Sequence, residues 1–433
     1  MTDPHEAPDS DTTDPRAPER DELPEQPPAI PLTEPADGVP PVLTTQAEFA
    51  EAGRLLSSGS GPIALDTERA SGFRYSGRAY LVQIRRAGSG SMLIDPIDHP
   101  EALGPLADAL DGPEWILHAA DQDLPCLREL GFHCASLYDT ELAGRLLGIP
   151  KVNLAAMVEH FLGLGLVKGH GAADWSRRPL PADWLNYAAL DVEVLIELRD
   201  AVQAALVEAG KETWAEQEFA AVLARPDPAP RPDRWRRVSK IHTIKSTRTL
   251  AAVQQLWNAR EDVAKRRDVA PGRILPDSAI VAAAVADPKT LDELYKLPVF
   301  GGPRQRRQAG RWMSALEAAR RLPDAELPPR RPPSTGLPQV NRWEAKSPEA
   351  AARLTSVRAA MSELSERVNT PVENLLPPDL VRQLCWDSVP SATTDAVAER
   401  LAAGGARPWQ VELTAPVIAA ALVAAPAEPP PAD

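Results

Sequence analysis

The chain has 433 residues, 43% of them hydrophobic, and a formal net charge of −14. No apolar run approaches the roughly 20 residues that span a bilayer, which argues against a membrane helix, and Met1-Thr-Asp-Pro-His-Glu6 lacks the basic and apolar stretches of a signal peptide. Cys126, Cys134 and Cys385 offer neither a disulfide framework nor zinc-ligand spacing, so the expectation is a reducing, cytoplasmic location.

In chain order, residues 1–40 come first, with eleven Asp or Glu against Arg16 and Arg20, and ten prolines. This acidic tail is expected to be disordered, and it carries most of the negative charge away from the rest of the chain. Residues 41–221 read as an α/β domain. The apolar runs Ile63–Leu65, Ala79–Ile84 and Met92–Ile94, separated by Gly- and Ser-rich turns, predict three successive antiparallel strands. Trp115–Leu117 predicts a strand that feeds a helix after Asp123. Leu137–Leu147 predicts a short strand running into a helix, Asn153–Leu162 a further helix, and Pro181 to about Ala209 one long helix. Strands first, then strand–helix alternation, is a mixed α/β pattern.

Residues 222–248 read as a basic linker in which Arg231, Arg234, Arg236, Arg237, Lys240, Lys245 and Arg248 surround Asp233 and Trp235. Arginines beside an aromatic suit phosphate contact and base stacking. A solvated linker that binds nothing specific is the alternative. Residues 249–328 turn helical, broken at Val269–Pro276, with Arg304, Arg306, Arg307 and Arg311 after Gly301-Gly302. A Pro-rich linker over 329–344 leads to residues 345–425. There Val368–Pro377 echoes Val269–Pro276, with Pro271 and Pro371 at matching points, and this predicts a second, diverged copy of the same helical module. Residues 426–433 form a terminal tail.

Three short motifs carry the chemistry. Asp66 and Glu68 in Ile63-Ala-Leu-Asp-Thr-Glu68 are two apart on a strand and share a face. Asp123 in His118-Ala-Ala-Asp-Gln-Asp-Leu124 stands where a strand gives way to a helix. Tyr187 and Asp191 in Asn186-Tyr-Ala-Ala-Leu-Asp191 are four apart on a helix and share a face. Each motif alone has a plain structural alternative: a surface pair, a helix-start acid, a packing tyrosine. Together they describe carboxylates that repel one another and must take up protons or bind hard divalent cations. Two such cations roughly 3.5–4 Å apart suit an in-line phosphoryl displacement.

These residues resemble the ribonuclease D family, of the DEDD superfamily of 3′–5′ exonucleases, in the subtype with a tyrosine in the third motif. Lys168 and Asp174-Trp-Ser-Arg-Arg-Pro-Leu180 are similar to the stretch this family carries ahead of its last motif, and residues 249–328 look like its HRDC domain. The resemblance implies a ribonuclease-H-like mixed-sheet exonuclease domain followed by two all-α HRDC-like domains. It implies that Asp66, Glu68, Asp123 and Asp191 bind two divalent ions, Mg²⁺ or Mn²⁺, and that Tyr187 positions the attacking water. The implied activity trims the 3′ ends of structured RNA such as tRNA precursors and releases nucleoside 5′-monophosphates. The expected partner is RNA with a free 3′ end, held by Arg234, Trp235, Arg236, Arg237, Lys240, Arg304 and Arg307 of a monomeric protein. A DNA exonuclease and a non-catalytic RNA-binding scaffold are the alternatives.

Overall fold

The computed structural model describes residues 28–167, 169–227, 231–331, 336–387 and 392–424. The elements of the first unit are β1 (Ile30–Leu32), β2 (Val42–Leu43), α1 (Gln46–Ser58), β3 (Ser60–Arg69), β4 (Ala79–Ala87), β5 (Gly90–Ile94), α2 (Gly104–Leu110), β6 (Glu114–Leu117), α3 (Leu124–Glu129), β7 (Ser136–Asp139), α4 (Thr140–Leu146), α5 (Leu154–Leu162), β8 (Leu164–Leu166), α6 (Ala182–Glu193), α7 (Leu195–Glu208) and α8 (Glu212–Ala224). Six strands form one sheet in the order β2-β5-β4-β3-β6-β7. Strands β3, β4 and β5 are antiparallel neighbours, as their short connections require, and β6 and β7 add in parallel beyond β3.

The central strands are covered on both faces, which is why their sequences are apolar runs rather than alternations. Leu81 and Leu93 cluster with Trp175, Ala188 and Ala189, on the side of α6. Val82, Ile84, Met92 and Ile94 belong to the main core with Phe49, Leu195 and Leu198. Across the β3–β4 ladder Asp66 lies opposite Gln83, and Glu68 opposite Leu81. Opposed residues share a face, so both acids project toward α6.

The helices that follow fall into two copies of one arrangement. The first comprises α9 (Thr247–Arg267), α10 (Pro271–Ile274), α11 (Asp277–Ala286), α12 (Leu291–Tyr295), α13 (Pro303–Arg306) and α14 (Ala309–Arg321). The second comprises α15 (Trp343–Lys346), α16 (Pro348–Val368), α17 (Val372–Leu375), α18 (Pro378–Asp387), α19 (Thr394–Ala403) and α20 (Pro408–Ala424). Both α9 and α16 are 21 residues long, and each ends on a left-handed residue, Asp268 (φ 47) or Asn369 (φ 45). A four-residue helix follows in each copy. The spacing from Asp268 to Asn369 is kept between Leu275 and Leu376 and between Pro276 and Pro377. By that spacing Pro371, a helix cap, falls opposite Ala270, and Pro271, a first helical residue, falls opposite Val372. The two prolines are therefore not equivalent, contrary to the sequence expectation.

Both copies dock on the sheet domain through the same corner. Asp268 accepts hydrogen bonds from the backbone of Tyr75 (3.1 Å) and Ser76 (2.8 Å) and from the Tyr80 hydroxyl (3.1 Å). In the second copy Asn369 donates to the Leu147 carbonyl (2.8 Å), and Thr370 donates to that of Leu146 (2.7 Å). The buried Lys211 ammonium closes this joint on the Asn369 carbonyl at 3.0 Å and the Thr370 hydroxyl at 2.9 Å. Beyond the corner, the second copy shares one continuous apolar core with the sheet domain. Trp409 stacks on Trp214 at 4.5 Å and donates to Glu218 at 3.0 Å.

Other expectations need correction. Residues 30–36 are not a loose tail. Ile30–Leu32 pairs in parallel with Leu164–Leu166, Asn186 donates to the Thr33 carbonyl at 2.7 Å, and Ala36 donates to Glu193 at 3.2 Å. Unpaired backbone at the edge of Leu164–Leu166 supplies the partner that composition alone does not reveal. Of the expected tail, residues 1–27 lie outside the described residues, as do Lys168 and residues 425–433. The helix expected from Pro181 to Ala209 is two helices, interrupted at Val194. Among the described residues no helix is long and apolar enough to cross a membrane.

Candidate active site

Strand β3 delivers Asp66 and Glu68 at its C-terminal end, and α6 lays Tyr187 and Asp191 over them. Carboxylate oxygens of Asp66, Glu68 and Asp191 all lie within 4.8 Å of one another. Glu68 is buried, while Asp66 and Asp191 keep partial access to solvent. Tyr187 stands beside Asp191 on the same face of α6, close enough that each shifts the other's pKa. Its ring is backed by a glycine-bearing loop that approaches very closely: a Cβ on Gly169 would stand 2.6 Å from Tyr187 Cδ2. That loop is braced from below. Trp175, fully buried, donates to the His170 carbonyl at 3.2 Å, and Arg178 reaches Asp95 at 2.5 Å and the Tyr80 carbonyl at 2.8 Å. The Asp174–Leu180 stretch is thus a structural bracket for the site.

Asp123 is close by but turned differently. It follows a tight turn at Ala119 (φ 61), held by Asp139, which accepts from the backbone of Ala119 (3.1 Å) and Ala120 (2.9 Å) while capping α4. The Asp123 carboxylate accepts from Thr67 Oγ1 at 2.6 Å and has Arg69 at 3.9 Å. It is not one of the three mutually adjacent acids.

Electrostatics express the crowding. Burial, then the charges of Asp123, Asp191 and Glu68, push the Asp66 pKa well up. Burial and the charges of Asp191 and Asp123 raise Glu68 to about 9. Burial lifts Asp191 to about 7, against the pull of the Tyr187 hydroxyl. Asp123 rises to about 6 by burial, restrained by Thr67 and Arg69. The Tyr187 hydroxyl is pushed upward by burial and by the neighbouring acids, so it is a neutral donor at ordinary pH. A cluster that resists ionisation, made only of oxygen donors and open on one side, fits a hard divalent cation. His118, lowered to about 4 by burial and bonded to Thr140 Oγ1 at 2.9 Å, remains neutral and is part of the framework.

Residues that the motif spacing did not single out also shape the site: Thr67 and Arg69 on Asp123, Asp139 on its turn, Gly169 on Tyr187, and Gln83 opposite Asp66. Only Gln83 left a visible signal, as the one amide in the apolar run Ala79–Ile84.

The expected nucleic-acid residues divide. Trp235 is 3% exposed and lies in the core of the first helical copy with Val238, Ile244 and Leu250, so it does not stack on bases. An indole among arginines folded inward because its apolar face gains more from that core than from water. Arg236 lies over its ring at 4.3 Å and donates to the Pro329 carbonyl at 3.0 Å, so it acts as a staple rather than a phosphate ligand. Arg234, Arg237, Lys240, Arg304 and Arg307 are exposed.

Comparisons with known proteins agree with this architecture. Residues 40–206 match a family described as 3′–5′ exonuclease, residues 249–316 the HRDC domain, and residues 336–422 the 3′ to 5′ exonuclease C-terminal domain. Ribonuclease D of Zymomonas mobilis subsp. mobilis is 30% identical over 77% of this chain and 89% of its own length. That of Pseudomonas paraeruginosa is 30% identical over 76% and 85%. A solved protein from Bifidobacterium adolescentis is 37% identical with a TM-score of 0.85, covering 91% of this chain and all (100%) of its own. Escherichia coli RNase D, described as an exoribonuclease involved in structured RNA processing, is 25% identical with a TM-score of 0.63, over 89% and 99%. With this extent of similarity on a shared order of exonuclease and helical domains, the chain belongs to the ribonuclease D family of 3′–5′ exonucleases.

Proposed function

We propose that the protein is a metal-dependent 3′–5′ exoribonuclease that trims structured RNA, tRNA precursors among them, and releases nucleoside 5′-monophosphates. The observation that carries this reading is the gathering of Asp66, Glu68 and Asp191 within 4.8 Å, with Tyr187 beside Asp191 on α6. Asp66, Glu68, Asp123 and Asp191 would hold two Mg²⁺ or Mn²⁺ ions. When bound, such ions lower the pKa of a water and stabilise charge on the attacking and leaving oxygens. Tyr187, neutral and backed by the Gly169 loop, orients the attacking water. Thr67 and Arg69 hold Asp123 at the edge of the cluster.

The substrate strand is assigned to the first helical copy. Lys265, Arg266 and Arg267 are exposed in the last turn of α9, beside the docking corner at Asp268. The corresponding residues of the second copy are Glu366, Arg367 and Val368. Cationic surface therefore favours the first copy for phosphate contact, and Arg234, Arg237, Lys240, Arg304 and Arg307 are further exposed cations of that copy.

The test uses matched 5′-labelled RNA and DNA strands, with Mg²⁺ and then with EDTA. A metal-dependent ladder from the 3′ end of RNA, weaker on DNA, supports the proposal. Preferential DNA trimming moves the assignment to a DNA exonuclease, and binding without trimming to a scaffold.

Two further expectations concern the site itself. Between pH 5 and 9 the unfolded chain has released protons that the folded, cation-free cluster retains, because Glu68, Asp191 and Asp123 are raised to about 9, 7 and 6. Cation-free stability should therefore fall as pH rises through that window. At a fixed Mn²⁺ concentration the gain in stability, and with it the rise in melting temperature, should grow with pH as Kd falls, amounting to about 2.7 kcal/mol where that concentration is 100 times Kd. A pH-independent gain in a thermal-shift titration would contradict this. Separately, Gly169→Ala should displace the Tyr187 ring and lower kcat roughly 10- to 100-fold. Gly171→Ala, whose Cβ would meet the Tyr187 hydroxyl at an ordinary 3.6 Å, should stay near wild type in the same assay.

A further inference from the structure

Gln83 lies on the α6 side of β4, opposite Asp66 on β3 and Leu93 on β5. Its side chain is fully buried (0% exposed), and neither Oε1 nor Nε2 has a hydrogen-bond partner among the described residues. Buried amides left this way are rare in native proteins and mark a missing partner. Two residues further along the same face, Arg85 is already engaged, with Glu193 of α6 at 2.8 Å and Ser91 Oγ at 2.9 Å. The amide thus stands between the Arg85–Glu193 ion pair and Asp66 of the cluster.

We propose that Gln83 is a positioning residue for Asp66: with a divalent cation bound, its Nε2 donates to the ionised Asp66 carboxylate, directly or through one water, and fixes the oxygen offered to the cation. This rests on the metal-dependent reading given above. The residue type is selected by the site. A carboxylate at this position would add one more repelling charge, an ammonium would compete with the cation, and an apolar side chain would orient nothing. Glutamine supplies a neutral donor, and a donor to an ionised acid makes a short, strong bond. Partners behind metal ligands typically change metal affinity 10- to 100-fold when removed.

Gln83→Met keeps length and volume and removes both polar ends. In the full chain stripped with EDTA, thermal-shift titration should show Mg²⁺ affinity about 10- to 100-fold weaker than wild type. In turnover assays KM for RNA should be unchanged while kcat falls. In ¹⁵N-labelled wild-type protein the Gln83 side-chain NH₂ signals should shift as Mg²⁺ is added, an observation that does not depend on the variant folding. Wild-type Mg²⁺ affinity in Gln83→Met, or side-chain amide signals that ignore Mg²⁺ in a protein that binds it, would overturn the assignment. A wild-type protein that takes up no Mg²⁺ would overturn the metal reading itself, and this proposal with it.

Discussion

Asp66→Asn is expected to reduce turnover at least roughly 10³-fold and, at the same time, to raise the melting temperature of the cation-free protein. The two effects have one cause. Asp66 is the acid on which all the others act: burial raises its pKa first, and Asp123, Asp191 and Glu68 each add to it. In the empty cluster Asp66 must keep a proton that the unfolded chain releases, because its charge would be repelled there, and an amide carries no such cost. Replacing it by an amide of nearly the same volume leaves the packing of β3 against α6 intact, so a stabilisation of about 1–3 kcal/mol is the expected scale. The same charge is what a catalytic cation needs. Losing about 4 kcal/mol of transition-state stabilisation corresponds to about 10³ in rate. Kinetics on a labelled RNA strand and thermal denaturation in EDTA check the two halves. Wild-type rates would sink the assignment of Asp66, and a lower cation-free melting temperature would mean that its carboxylate has a structural partner.

What could be read in the sequence follows from which interactions are local. Asp66 with Glu68 and Tyr187 with Asp191 are set by the periods of a strand and a helix, and the structure brings three of these acids together as the spacing requires. Asp123 was legible as a residue but not as a geometry. Its orientation depends on Thr67 of the neighbouring strand, 56 residues away in sequence, and on the turn that Asp139 holds from about 20 residues away. Trp235 misled because arginines around an aromatic look alike whether the ring faces solvent or a core formed by helices 15 and more residues downstream. The segment at Ile30–Leu32 was invisible in composition for a related reason: its ladder partner, Leu164–Leu166, is far away in the chain. The internal repeat was legible because both copies must make the same turn, a long helix ended by a left-handed residue and a Leu-Pro before the next helix. What each copy docks against was not, since Asp268 and Asn369 solve the same problem with opposite hydrogen-bonding roles.

Tyr187→Phe should lower kcat roughly 10²-fold with little change in cation affinity. Phenylalanine keeps the ring, which packs in the cluster around Trp175, Ala188 and Ala189 and meets His170 edge-on at 5.9 Å, so packing is conserved and only the hydroxyl is lost. Because burial and the neighbouring acids hold that hydroxyl in its neutral form, its part in the reaction is to donate and orient rather than to remove a proton. The variant has a second signature. The Tyr187 hydroxyl lowers the Asp191 pKa, which burial nevertheless lifts to about 7. Without that donor Asp191 binds its proton more tightly. The sign is therefore fixed: the acid limb of the pH–kcat profile should move to higher pH in Tyr187→Phe, since Asp191 must lose its proton to act as a ligand. A profile that falls at every pH without moving would leave water orientation as the sole role of the hydroxyl. An unchanged rate with an unchanged profile would return Tyr187 to packing alone, because a ring that only fills space cannot tell phenol from benzene.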